Sequence, residues 1–230
     1  MLSILRMRIL SIFVLSVITS LAHAQLAGIS NTDAASGLRQ ALTDGAAAAV
    51  GKLGVENGFF NNPQVKIPMP PVLRNVEGAM RTFGMKKQAD DLVLAMNRAA
   101  EAAVPEAKSL LIDAAKKMSL QDAKGILAGG QTSVTDYFRR NTSAQLTQRF
   151  LPIVKNATNR VGLAQQYNTL AGQAASYGLI KKDQSTIEYY VTQKSLDGLY
   201  LMIGEQEKAF RTNPLGATSD IVKKVFGALK

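Results

Sequence analysis

The chain has no cysteine and no tryptophan, and its one histidine, His23, falls inside a segment that reads as a removable export signal. The mature protein therefore has neither imidazole nor thiol. That excludes Ser-His and Cys-His nucleophile pairs, zinc or copper sites built on His and Cys, haem ligation by either group, and disulfides. Carboxylates, lysines, tyrosines and hydroxyls remain. A chain without disulfides or structural metal must be held together by its apolar core, and about 205 residues suffice for that in one domain.

Arg6 and Arg8 precede an apolar run from Ile9 to Ala22, and Ala22-His23-Ala24 forms an A-x-A cleavage pattern before Gln25. The run is shorter than the ~20 residues a spanning helix needs. Residues 1–24 are thus expected to be a signal peptide, and residues 25–230 a single all-α domain exported to the periplasm. The full chain carries 27 Lys+Arg against 17 Asp+Glu. Processing at Gln25 removes Arg6 and Arg8 and leaves a basic mature chain. The signs are interspersed, with no run of five cations and no aromatics set among basic residues, which argues against nucleic acid and leaves anionic envelope components as plausible partners.

Helical patterns follow one another with short punctuation. Asn31 or Thr32 is placed to cap a helix through Leu38, Leu42 and Val50, weakened at Gly51 and Gly54. Residues 58–71 are Pro-rich and irregular, with Pro71 suited to open a helix through Val76 and Met80. Lys86 to Val104 forms the next helix, Pro105 starts another through Leu111, and Ser119 with Asp122 caps a short one to Leu127. After Gly129-Gly130 come helices over Val134–Arg140 and Ser143–Phe150, with a break or kink at Pro152, and then one over Leu163–Tyr177. Asp183 and Ser185 open a long helix bearing Leu196, Leu199, Ile203 and Phe210, read as central. A last helix runs from Thr218 or Ser219 to Leu229. The expected architecture is a compact bundle of about eight or nine helices.

The segments Gly37-Leu38-Arg39-Gln40-Ala41-Leu42, Lys66-Ile67-Pro68-Met69-Pro70, Met96-Asn97-Arg98-Ala99-Ala100-Glu101, Asp122-Ala123-Lys124-Gly125-Ile126-Leu127, Tyr137-Phe138-Arg139, Leu196-Asp197-Gly198-Leu199 and Val225-Phe226-Gly227 together resemble an exported bacterial family, domain of unknown function 4197. The resemblance spans nearly the whole mature chain. It implies an all-helical domain in a Gram-negative envelope, and it implies no activity, ligand or catalytic residue, because none is established for the family.

Candidate site residues must therefore come from physics alone. Projected at about 100° per residue, Asn97 falls inside the apolar arc of Leu92, Val93, Leu94, Met96, Ala100 and Val104, and Glu101 and Asp90 lie near its edge. A buried amide and carboxylate need partners. Either they satisfy backbone groups or a basic residue such as Arg139 of a neighbouring helix, or they form a polar spot that holds a ligand head group. A second candidate is the stretch from Asp122 through Gly129-Gly130 to Tyr137 and Arg139, where a glycine loop before a helix could cradle an anion or simply end the preceding helix. Glu207 and Arg211, four apart, read as a surface pair.

The Glu-Ser pair of lytic transglycosylases, the Ser-x-x-Lys of β-lactamase-like enzymes and an alternating Asp/Asn calcium loop are all absent from the mature chain. The reading leans away from an enzyme, and no cofactor or metal is expected. It points to a binding role, for an apolar or amphiphilic small molecule between helices or for an envelope protein. The alternatives are peripheral binding to anionic envelope components, with membrane contact through the helix of Ile221, Val225 and Phe226, and a hydrolase that uses carboxylates. Intact-mass measurement on the periplasmic fraction is expected to find a soluble protein beginning at Gln25; full-length chain held in the membrane fraction is the contrary result.

Overall fold

The computed structural model describes residues 30–74, 77–178, 185–216 and 219–227. The export segment, Val76, Asp183, Thr218 and Leu229 lie outside the described residues. Among those described there is no strand, and helices α1 (Asn31–Leu53), α2 (Pro71–Arg74), α3 (Glu77–Thr82), α4 (Lys86–Ala103), α5 (Ala107–Lys116), α6 (Leu120–Ala128), α7 (Ser133–Thr158), α8 (Gly162–Ser176), α9 (Ile187–Thr212) and α10 (Asp220–Gly227) form an all-α bundle. No described helix is long and apolar enough to cross a membrane.

Local chemistry sets most of the helix ends. Ser30, one residue earlier than expected, caps α1 by accepting the Asp33 N–H at 3.0 Å. Pro71 opens α2, and Pro105 sits in a 3-10 turn, Val104–Glu106, that joins α4 to α5. At α6 Ser119 and Asp122 form a reciprocal capping box, with each side chain taking the other's backbone N–H at 3.0 Å. The long helix α9 opens one turn later than Asp183, with Thr186 accepting the Tyr189 N–H.

One expectation fails. Instead of two separate helices over 134–140 and 143–150, a single helix α7 of 26 residues runs on through residues 141–142 and through Pro152 without a break. Asn141, Thr142 and Thr147 direct their side chains back to the carbonyls of Tyr137, Phe138 and Ser143, four residues upstream, so these polar groups are satisfied without leaving the helix. Pro152 stands on the exposed face, where the carbonyl it leaves without an N–H partner borders water.

The helix α9 is central, packing on α7, α1, α4 and α10. It buries Val191, Leu196, Leu199, Tyr200, Met202 and Ile203, and the Tyr200 hydroxyl shares a 2.8 Å hydrogen bond with Thr142 of α7. Thr192 is also fully buried, and its hydroxyl has no hydrogen-bond partner among the described residues. Leu201 of the same run is 42% exposed, so the run buries most of its faces but not all.

The first and last described helices meet. α10 lays Val222, Val225 and Phe226 against the bundle, and Phe226 is 6.1 Å from Phe210 between ring centroids. Gly37 makes the crossing possible: a Cβ there would lie 2.6 Å from Val225 Cγ2 and 3.0 Å from the Ile221 carbonyl oxygen. The apolar stripe that the sequence also offers to a membrane is thus the seam between α10 and α1. In equilibrium denaturation, Phe226→Ala should cost about 3–5 kcal/mol, the range for emptying a buried aromatic site. Gly37→Ala should also destabilise, despite the higher helix propensity of alanine; a gain in stability would contradict the close crossing.

Candidate functional site

Asn97 and Glu101 face the irregular segment between α1 and α2. Asn97 Oδ1 accepts the Ile67 N–H at 2.8 Å, and its Nδ2 donates to the carbonyls of Ile67 at 2.9 Å and Val93 at 2.7 Å. The amide thus serves Ile67 much as a neighbouring strand would. One oxygen of Glu101 accepts the N–H groups of Phe59 and Phe60, both at 3.0 Å, and the other takes Arg98 Nη1. Arg98, three residues away on the same helix, is the basic partner, and not Arg139. It also reaches Glu56 and Asn57, the latter at the left-handed φ of 67°. All the polar atoms of both buried side chains are therefore engaged, leaving nothing polar turned toward a ligand.

The segment they grip behaves as a strap. Phe59, Val65, Ile67 and Met69 are buried, the Tyr190 hydroxyl donates to the Pro68 carbonyl at 3.1 Å, and Gly198 of α9 leaves room for it. A Cβ on Gly198 would come within 2.8 Å of the Phe59 ring. Lys66 stands 4.2 Å above the Phe60 ring, with Arg98 5.9 Å from its centroid.

The other sequence candidates divide between two surface depressions on opposite flanks of α7. Asp122 and Tyr137 share the first, with Ser133, Asp136 and Arg140. Its polar groups are largely occupied. The Ser119 hydroxyl, its closest partner, and the Ser119 backbone N–H hold the Asp122 carboxyl below its usual range, and the Tyr137 hydroxyl donates to the Ala114 carbonyl at 2.9 Å. Burial raises the Tyr137 phenol above its ordinary value. Gly129 closes α6, and the Ser133 hydroxyl turns back onto the Gly130 carbonyl.

Arg139 lies in the second, an open groove of about 570 Å³ between α7 and α9. Its guanidinium sits 4.8 Å over the Tyr200 ring and pairs with Asp197 at 3.3 Å, both partners about half exposed. Thr135, Tyr200, Leu201, Gly204, Glu205 and Lys208 line the groove as well. Among the described residues neither Glu205 nor Lys208 has an ion-pair partner. The groove combines exposed apolar surface with unpaired charge.

Glu207 is not on the surface as expected: its carboxylate is fully buried, and Arg211 is 15% exposed. The carboxylate accepts the N–H groups of Val134 at 3.2 Å and Thr135 at 3.3 Å, which caps α7 from another helix, and binds Arg211 at 3.0 Å. Arg211 in turn donates to the Ile126 carbonyl at the end of α6. Burial pushes the Glu207 carboxyl above its ordinary range, with these donors pulling the other way. The small cavity beside it, lined by Leu42, Phe138, Phe210 and Phe226, is about 10 Å³, room for roughly one water. A substrate has no access to this perturbed carboxylate. Among the described residues no three acidic side chains gather closely enough to hold a metal ion.

Sequence reasoning missed the groove because its Leu201 sits inside an apolar run and looks like core. The signal that could have found it is the i, i+4, i+8 row of Asp197, Leu201 and Glu205 on one face of α9.

No curated protein and no solved structure matches the chain. The profile of the family described as "Protein of unknown function (DUF4197)" matches residues 28–227, and the chain belongs to that family.

Thermal unfolding of two variants checks the clasp. Asn97→Ala strands both peptide groups of Ile67, and Glu101→Gln removes the buried carboxylate charge that Arg98 Nη1 and the Phe59 and Phe60 N–H groups converge on; each should cost roughly 1–3 kcal/mol. At this length each kcal/mol lowers Tm by about 2–4 °C. Unchanged melting in both would mean that the strap is held some other way.

Proposed function

We propose that this member of the DUF4197 family is exported to the periplasm, loses residues 1–24, and works there as a binding protein that holds an amphiphilic ligand or a partner segment in the groove between α7 and α9. The observation that carries this reading is the composition of that groove. Leu201, 42% exposed, lines it together with Tyr200, and Glu205 and Lys208 line it unpaired. Apolar surface with a few convergent polar groups is the usual make-up of a small-molecule site. Arg139, stacked on Tyr200 and tethered to Asp197, offers a guanidinium already oriented for a carboxylate or phosphate head group.

The reading places the ligand on the outside of the bundle. The interior supports it less well, because the cavity described there has room for roughly one water and the buried amide and carboxylate of α4 serve the strap.

Native mass spectrometry of the protein released from the periplasm, compared with Leu201→Ser and Lys208→Ala, tests the proposal. Surface substitutions of this kind should leave stability within about 0.5 kcal/mol. The expected result is a co-purified mass on the wild type that is lost from both variants at unchanged Tm. A wild type without any adduct, or an adduct kept by both variants, would overturn the groove as the site.

A further inference from the structure

The turn between α3 and α4 carries the most exposed phenylalanine side chain among the described residues. Phe83 is 81% exposed and its ring touches no aromatic or cationic partner. Its N–H closes the end of α3 on the Ala79 carbonyl, and the next residue, Gly84, takes the left-handed φ of 79° that reverses the chain. A Cβ on Gly84 would meet nothing within 4 Å, so the tip stands clear of the bundle. Among the described residues the ring therefore contributes little to the core, and it is the cations beside it that make its exposure informative.

Cations surround it. Lys86 and Lys87 open α4 just after the turn; among the described residues Lys86 has no ion-pair partner, and Lys87 pairs with Asp91 while its side chain remains 85% exposed. Arg81 is held by Glu77 and Asp90. From the turn between α7 and α8, Arg160 joins the same end of the molecule, sharing a depression with Met85, Gln88 and Asp91. Among the described residues Arg160 has no carboxylate partner.

An apolar ring at the apex with ammonium and guanidinium groups behind it matches the chemistry of an anionic bilayer surface, where the ring enters the acyl boundary and the cations meet headgroup phosphates. A protein partner fits this tip less well. A stable protein interface covers about 800 Å² on each side, whereas α3 is a six-residue helix whose described contacts are chiefly with α4. The net charge of the chain, +10 before processing, favours the same partner. We infer that the α3–α4 tip docks the protein on an anionic lipid bilayer, with Phe83 as the inserted ring and Lys86, Lys87 and Arg160 as the headgroup contacts. The apolar side of α10 plays no part in this, since Val225 and Phe226 are buried against the bundle.

The absence of native tryptophan makes the test clean, because Phe83→Trp places a single indole at the tip. Titration with vesicles of phosphatidylglycerol and phosphatidylcholine should shift its emission to the blue, and the shift should be lost at about 1 M salt, where the screening length falls to about 3 Å. Phe83→Ser and the pair Lys86→Glu with Lys87→Glu should each weaken co-sedimentation with these vesicles by roughly tenfold at unchanged Tm. Any of three results would overturn the proposal: no shift, an equal shift on pure phosphatidylcholine, or a blue shift without vesicles that grows with protein concentration and so reports a second copy on the ring. Vesicle binding that survives Phe83→Ser would likewise place the contact elsewhere. These variants leave the α7/α9 groove untouched, so ligand retention and vesicle binding fail or succeed separately.

Discussion

The strap between α1 and α2 presents a helical bundle with its hardest physical problem. Helices satisfy their own peptide groups, but an irregular segment that buries Phe59, Val65, Ile67 and Met69 carries N–H and C=O groups into the interior with no ladder to receive them. Asn97 and Glu101 supply that ladder from the side of α4, one by imitating a strand edge and the other by gathering two successive N–H groups on one oxygen. Arg98 then balances the carboxylate charge at the rim of the core. Without this pairing the strap would have to leave, exposing the seam between α4 and α9 that it covers. The face of Gly198, where the Phe59 ring sits, would open with it.

A similar device closes the other end of the bundle. Helix ends leave N–H and C=O groups without partners, and the fold meets several of these needs with side chains from distant elements. Glu207 of α9 accepts the first amides of α7, while Arg211, one turn on, donates to a carbonyl at the end of α6 and lies 5.9 Å from the Phe226 ring of α10. Four helices thus meet on one ion pair. Its low-dielectric setting makes both its loss and its half-loss expensive, which suits an anchor and not a reactive centre.

How much of this could be read in advance follows from whether a residue solves a local or a distant problem. Ser119 and Asp122 answer each other within a single turn, so the cap of α6 is legible in four letters. The apolar arc of α4 likewise flags Asn97 and Glu101 as buried and in need of partners. Their partners are not legible, because the strap amides that Glu101 receives lie about 42 positions upstream, and no local periodicity records such a distance. Glu207 and Arg211 misled for the same reason: at spacing i, i+4 an exposed pair and a buried pair have one pattern, and only the arrival of the α7 N-terminus decides between them. Pro152 misled in the opposite sense, since a helix that already loses one bond on its wet side has little cause to break. The polar row of Asp197 and Glu205 around Leu201 hinted at the groove, but the Phe83 tip was beyond reach, because exposure of a lone apolar residue is a property of the assembled surface.

The crossing of α10 over Gly37 carries a consequence for the order of assembly. A contact between the first and last described helices joins residues separated by nearly the whole described length, so the loop it closes is among the longest this domain can make. While the chain is being synthesised, α1 has its Gly37 face bare until the final helix emerges. Earlier helices can pair first, α3 with α4 and α7 with α9, and α5 and α9 can cover part of α1, but its Gly37 face stays open through all of them. For any chain that must be threaded through a membrane before it folds, such a seam acts as a delay. The Gly37 face cannot close early, because α10, which covers it, is delivered after every other described helix.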